Sequence, residues 1–166
     1  MAFDAYFPIA TIAPLVSPTG TFSFTSIPST YTDLFIVFDG KCHSSAMGDI
    51  IQFNGDTAGN YSEVTINNYG SSITGSANTN STAINIGTSN DGRRGIGTVN
   101  IMQYKNTNIY KTAVSSNWGD TSYKTNTVTG IWRSTSAITS INISNDSGRQ
   151  YAVGSSATLY GILAAV

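Results

Sequence analysis

Cys42 and His43 are the only thiol and the only imidazole in the chain, and they are neighbours. A thiolate–imidazole nucleophile needs the two groups paired in space and a third group to orient the base, which adjacency in sequence does not supply. A zinc site needs further Cys or His ligands at short spacing, and none flank the pair. The nine acids are dispersed, whereas glycoside hydrolysis needs two carboxyl groups facing one bond. Asp56, Asp91, Asp120 and Asp146 lie in turn-like Gly/Asn/Ser contexts that already account for them. The stretch Asn54-Gly55-Asp56-Thr57-Ala58-Gly59-Asn60 fails as a calcium loop. It carries one acid, with Asp49 and Glu63 outside it, where calcium takes several oxygen ligands and usually more than one carboxylate. Its asparagines suit a structural turn, bonding to nearby backbone. Arg93-Arg94, between glycines, is the only adjacent basic pair, too little for a phosphate groove. Aromatic rings in polar surroundings, Tyr69, Trp118 and Tyr123, have the chemistry to stack on a sugar. The residues therefore point to no catalytic group, no cofactor and no intrinsic metal.

The background against which these residues sit is unusual. Of 166 residues only 10% are charged, while 40% are hydrophobic. An ordinary globular chain carries about a quarter charged residues. Ser, Thr, Asn and Gly fill the polar positions, giving an uncharged, hydrogen-bonding surface. The formal net charge of -1 leaves no electrostatic footprint for nucleic acid. One cysteine excludes an internal disulfide, and a free thiol fits synthesis in a reducing cytoplasm. No signal peptide and no membrane-spanning apolar stretch are evident. Matches to the glycosylation pattern at Asn60, Asn80, Asn142 and Asn145 are what chance gives in such a composition.

Residues 31–61 contain the strongest structural signal. The run Leu34-Phe35-Ile36-Val37-Phe38 is too apolar for a half-exposed ribbon and predicts a strand in the interior. Residues 50–53 predict the next strand. Residues 1–20 are apolar but interrupted by Pro8, Pro14 and Pro18, which suit neither a helix interior nor a central strand. They predict an extended arm. Phe3, Tyr6, Phe7, Ile9, Ile12 and Leu15 must be covered, either by the chain's own core or by a neighbouring subunit or particle. Residues 21–27 alternate as a half-buried strand. Residues 61–66 favour a strand over a short helix, and residues 67–82 predict a polar loop or a weak outer hairpin. Residues 96–104 and 109–115 form the most hairpin-like pair. Residues 116–122 read as a loop carrying Trp118. Strands follow at 124–132, 138–143 and 158–164, and Gly161 in the last would admit an aromatic ring or backbone at close range.

These elements predict an all-β domain over residues 21–166, an antiparallel β-sandwich, with a jelly roll the best single choice and an immunoglobulin-like arrangement left open. The expected core is Phe22, Phe24, Leu34, Ile36, Phe38, Ile51, Phe53, Val99, Ile101, Ile141, Ile143 and Leu159. Several pieces carry a resemblance: Phe24-Thr25-Ser26-Ile27-Pro28 leading into Tyr31-Thr32-Asp33-Leu34; Ile51-Gln52-Phe53-Asn54-Gly55-Asp56 with Asn60-Tyr61-Ser62; residues 135–143; and residues 154–162. Together they resemble the small β-rich virion structural proteins of tailed bacteriophages that decorate heads or form tail and fibre tips. The resemblance implies a place in the virion after synthesis in the host cytoplasm, no enzymatic activity, and assembly as a homotrimer. It implies binding to the major capsid protein as a decoration or cement protein, with Phe3, Tyr6, Phe7, Ile9, Ile12 and Leu15 as the contact. The alternative is a tail or fibre-tip domain that meets tail proteins and a host glycan through Tyr69, Trp118 and Tyr123.

Overall fold

A computed structural model describes residues 6–43, 47–89, 94–119 and 124–163. The described residues form twelve strands and no helix: β1 (Tyr6–Ile12), β2 (Thr21–Phe24), β3 (Asp33–Lys41), β4 (Met47–Phe53), β5 (Tyr61–Asn68), β6 (Ile73–Ser81), β7 (Ile84–Ser89), β8 (Arg94–Met102), β9 (Lys111–Gly119), β10 (Lys124–Trp132), β11 (Ile141–Asn145) and β12 (Ser156–Ile162). They build two antiparallel sheets, an eight-stranded one ordered β1-β12-β3-β8-β9-β10-β5-β6 and a four-stranded one ordered β2-β11-β4-β7. The small sheet covers only part of the large one. Its edge strand β7 crosses β8, β9, β10 and β5, and β6 extends beyond this cover with nearly every residue exposed. The protein is thus an all-β sandwich.

Alternation explains the layering. In β3, Leu34, Ile36 and Phe38 point inward and are fully buried, while Phe35, Val37 and Asp39 point away from the small sheet. Phe22 and Phe24 of β2, Ile51 and Phe53 of β4, and Ile141 and Ile143 of β11 meet them from the other layer. Val99, Ile101 and Leu159 complete the set, so all twelve residues expected in the core are buried. Asn54 and Gly55 both take positive φ (53° and 68°) and turn the chain after β4, as an Asn-Gly pair does most readily. The 96–104 and 109–115 pairing is present as β8 with β9, in register Met102 to Thr112.

Residues 6–20 run along the domain's own edge. β1 pairs with β12, with a bulge between Pro8 and Ala10 where the proline interrupts the ladder. Leu15 N–H donates to the Ser155 carbonyl (2.9 Å), and Thr19 and Tyr151 exchange backbone bonds (3.1 and 2.7 Å). Two local expectations are corrected. Trp118 lies in β9, paired with Ile96 and Thr125, and not in a loop. The expected strand at 138–143 begins only at Ile141. Ile138 lies outside any sheet but is buried in the core, and its N–H donates to the Tyr104 carbonyl (2.9 Å).

Candidate functional site

Of the acids among the described residues, Asp33, Asp49, Asp56, Glu63 and Asp146 accept hydrogen bonds that hold the fold, and Asp39 has only an ion pair with Arg94. Asp49 is fully buried and accepts from Tyr151 Oη at 2.9 Å. Burial, followed by the neighbouring Asp49 charge, pushes the Tyr151 phenol well above its ordinary pKa, so it remains a donor. Glu63 accepts from Asn78 Nδ2 (3.1 Å) and from the backbone N–H of Asn85. Asp146 accepts from Gly48 N–H (3.3 Å), and Asp33 from Gln103 N–H (2.6 Å). Arg94 Nε, exposed, stands 3.4 Å from the buried Asp39 Oδ1, an ion pair too poorly aligned to count as a hydrogen bond. Lys111 is buried, and its Nζ donates to the Ile109 and Thr135 carbonyls (2.8 and 3.1 Å). Desolvation lowers its pKa. No group of three or more Cys, His, Asp or Glu stands close enough to hold a metal among the described residues. Cys42 is buried.

The loop at 54–60 is held by its own side chains. Asp56 Oδ2 accepts from Trp132 Nε1 (2.7 Å) and Asn60 Nδ2 (2.9 Å), and Oδ1 accepts from Ala58 N–H (2.9 Å). The Trp132 bond, then the Asn60 bond, lowers the Asp56 pKa. Tyr61 Oη accepts from Phe53 N–H (3.0 Å) and donates to the Asp56 carbonyl (3.1 Å). Burial pushes this phenol up to about 12. Asn54 reaches the other way, donating to the Ala137 carbonyl (2.8 Å) and accepting from Thr139 and Ser140 N–H (2.8 and 3.1 Å). Asn54 thus bonds to backbone, as asparagines in such loops commonly do, while Asn60 and Trp132 bond to the Asp56 carboxylate.

What the molecule presents outward is the face of the eight-stranded sheet that the small sheet does not cover. Strand register lays out its rows. One row runs Pro8, Tyr160, Phe35, Asn100, Val114, Thr129, Val64, Ala77; the next runs Thr158, Val37, Thr98, Ser116, Thr127, Ile66, Gly75. Neither row holds a charge. Tyr6 packs edge-on against Phe35 (5.4 Å between centroids) and Tyr160 (6.3 Å) at one side. Ile96, Trp118 and Ile131 stand exposed on the same face. Charges stand on this face at one end, where Asp39 is paired across the strands with Ile96 and meets Arg94.

The residues expected at an interface separate accordingly. Tyr6 is half-exposed on this face. Phe7 stacks on Tyr31 (5.8 Å), and Ile9, Ile12 and Leu15 pack partly buried against the core. Phe3 lies outside the described residues. Of the aromatics considered for a sugar, Trp118 is 43% and Tyr69 41% exposed. Asn68, beside Tyr69, shares a cross-strand row with Trp118, two strands away, or about 10 Å at ordinary strand spacing. Tyr123 lies outside the described residues. The run Leu34–Phe38 was expected to be interior, but only one of its phases is: Phe35 is half-buried and Val37 exposed on the open face. Val64 and Ile66 were missed as surface residues. Alternation shows that they oppose the core side chains, but not whether a second layer covers them. No family model matches the chain, and no curated protein or solved structure is significantly similar to it.

Proposed function

We propose that the protein is a structural component of a tailed-phage virion, a decoration protein that binds the outer head surface and stabilises the shell. The observation that carries this reading is the outer face of the eight-stranded sheet, two of whose cross-strand rows hold no charge, with Phe35, Val37, Val64, Ile66, Ile96 and Trp118 on it and the Asp39–Arg94 pair toward one end. Burying such a face contributes roughly 25 cal/mol per Å², and only the surplus over ordering and association costs appears as affinity. Modest contacts repeated over a shell add up through multivalency. The scaffold suits the role. Without the hairpins β5–β6 and β9–β10, the remaining strands read β1-β12-β3-β8 over β2-β11-β4-β7. We take this connectivity as a jelly roll, a frequent capsid and lectin architecture. The engagement of five of the six described acids in hydrogen bonds of the fold supports a non-enzymatic role, and the major capsid protein is the partner. Three copies per assembly is the stoichiometry that the resemblance implies.

A second reading has its own observation: Trp118 and Tyr69 stand exposed toward the same end of the sheet, as a sugar-binding tail-tip domain would require. Imaging of intact virions with a label on this chain separates the two. Copies distributed over the head support decoration. Copies confined to the tail overturn it in favour of the tail-tip reading.

A further inference from the structure

We propose that β6 is a self-pairing edge, joining a second copy of the chain through antiparallel strand addition about a two-fold axis. A sheet edge presents unpaired N–H and C=O groups, and proteins blunt such edges with prolines, bulges, charges, short strands or internal caps. The other three edges here are blunted. β1 carries Pro8 and a bulge. β2 is four residues long. β7 bulges where Asp49 pairs with Gly87 and Ile50 with Asn85. Two of its N–H groups are capped, Asn85 by the Glu63 carboxylate and Gly87 by Asn85 Oδ1 (3.0 Å).

β6 carries one bulge, at Asn80 near its end, and over Ile73–Thr79 has none of these devices. It spans nine residues, Ile-Thr-Gly-Ser-Ala-Asn-Thr-Asn-Ser, without proline or charge, and nearly all are exposed. Among the described residues its only strand partner is β5. The register is regular from Ile73 to Thr79; the shift opposite Tyr61 and Ser62 and the positive φ of Asn80 (57°) then bend the strand away.

That regular stretch is self-complementary. Antiparallel pairing centred on Ser76 sets Ile73 opposite Thr79, Thr74 opposite Asn78, Gly75 opposite Ala77 and Ser76 opposite itself. No charge meets its like, and the side chains at the centre are small, so two backbones can approach without obstruction. Pairing like surfaces about a two-fold axis closes the assembly and leaves no edge to propagate. The contact uses one edge per copy and does not occupy the outer face. In a chain that is otherwise monomeric it gives a dimer; in one that is trimeric it joins two trimers. The inference rests on strand chemistry alone and is independent of the virion reading.

Sedimentation of the full chain over a micromolar concentration series tests it, with Ser76→Lys, which sets like charges against each other across the axis, and with Thr125→Lys as a control away from the edge. The expected result is a mass that doubles with concentration for the unaltered chain and for Thr125→Lys, and half that mass for Ser76→Lys with an unchanged thermal melt. Ser76→Cys should also cross-link two copies on oxidation, reversibly with reductant, where Thr125→Cys does not. A mass that does not change with concentration, or one that Ser76→Lys leaves as it was, overturns the proposal. A Ser76→Lys chain that fails to fold transfers the decision to the cross-link, and absence of a Ser76→Cys dimer then overturns it.

Discussion

Replacing Gly161 with alanine should destabilise the protein by forcing Tyr31 off the sheet. A Cβ at 161 would stand 2.2 Å from Tyr31 Cγ and 2.3 and 2.5 Å from the two Cδ atoms. Carbon atoms in contact sit about 3.5–4.0 Å apart, so the ring must retreat by roughly 1.5 Å. The clash is with the root of the ring and not with a flexible tip. The ring is also sandwiched, since Phe7 stacks on it at 5.8 Å. The backbone at 161 is not in the left-handed region, so the cost is steric. Overpacking of this kind costs about 1–3 kcal/mol. At about 2–4 °C per kcal/mol for a chain of this size, the melting temperature should fall by roughly 4–8 °C at the middle of that range. Urea unfolding of Gly161→Ala, Tyr31→Ala and the double variant provides the test. The alanine should be nearly neutral once the ring is gone. A Gly161→Ala protein within about 0.5 kcal/mol of the unaltered chain, or an equal loss on both backgrounds, would refute the steric argument.

Three further outcomes are expected. Tyr151→Phe leaves the buried Asp49 without its phenol donor and should cost about 1–3 kcal/mol in urea unfolding. Asp56 has a folded pKa below its unfolded value because Trp132 and Asn60 donate to its carboxylate. It therefore contributes stability that is full above the unfolded pKa of about 4 and lost as pH falls through the lower folded value; Asp56→Asn should be less stable at neutral pH and flatten that acid limb. Cys42 is buried and should react with a thiol reagent only when denaturant unfolds the chain.

The inner layer was legible because it obeys a single rule. Phe22, Phe24, Leu34, Ile36, Phe38, Ile51 and Phe53 each occupy one phase of an alternating strand, and that phase faces the opposite sheet. Gly161 was legible for a related reason: a glycine between Tyr160 and Ile162 in a strand signals a close approach, and Tyr31 fills the space. The outer phase was not legible in the same way. Whether Val37 and Ile66 are covered depends on which strands the second sheet contains, and that is set by pairings far apart in the chain. Trp118 was misplaced because Ser116, Asn117 and Gly119 have turn composition. In the fold, Asn117 points inward and is buried. Gly87, at φ 146°, makes room for it, since a Cβ there would meet Asn117 at 2.3 Å. Lys111 was equally hidden, because its carbonyl partners at 109 and 135 come together only in the fold. β6 has the composition of a loop and becomes a strand by pairing with β5, so the free edge could not be read before the topology.

The most direct test of a shell-binding outer face is rebinding of purified protein to heads stripped of it, comparing the unaltered chain with Val37→Glu/Ile66→Glu. Both positions are exposed, so the variant should fold normally. The account predicts saturable binding of the unaltered chain to heads and a higher temperature of shell opening, both lost in the variant. Binding only to tails, or equal binding and protection by the variant, would contradict it.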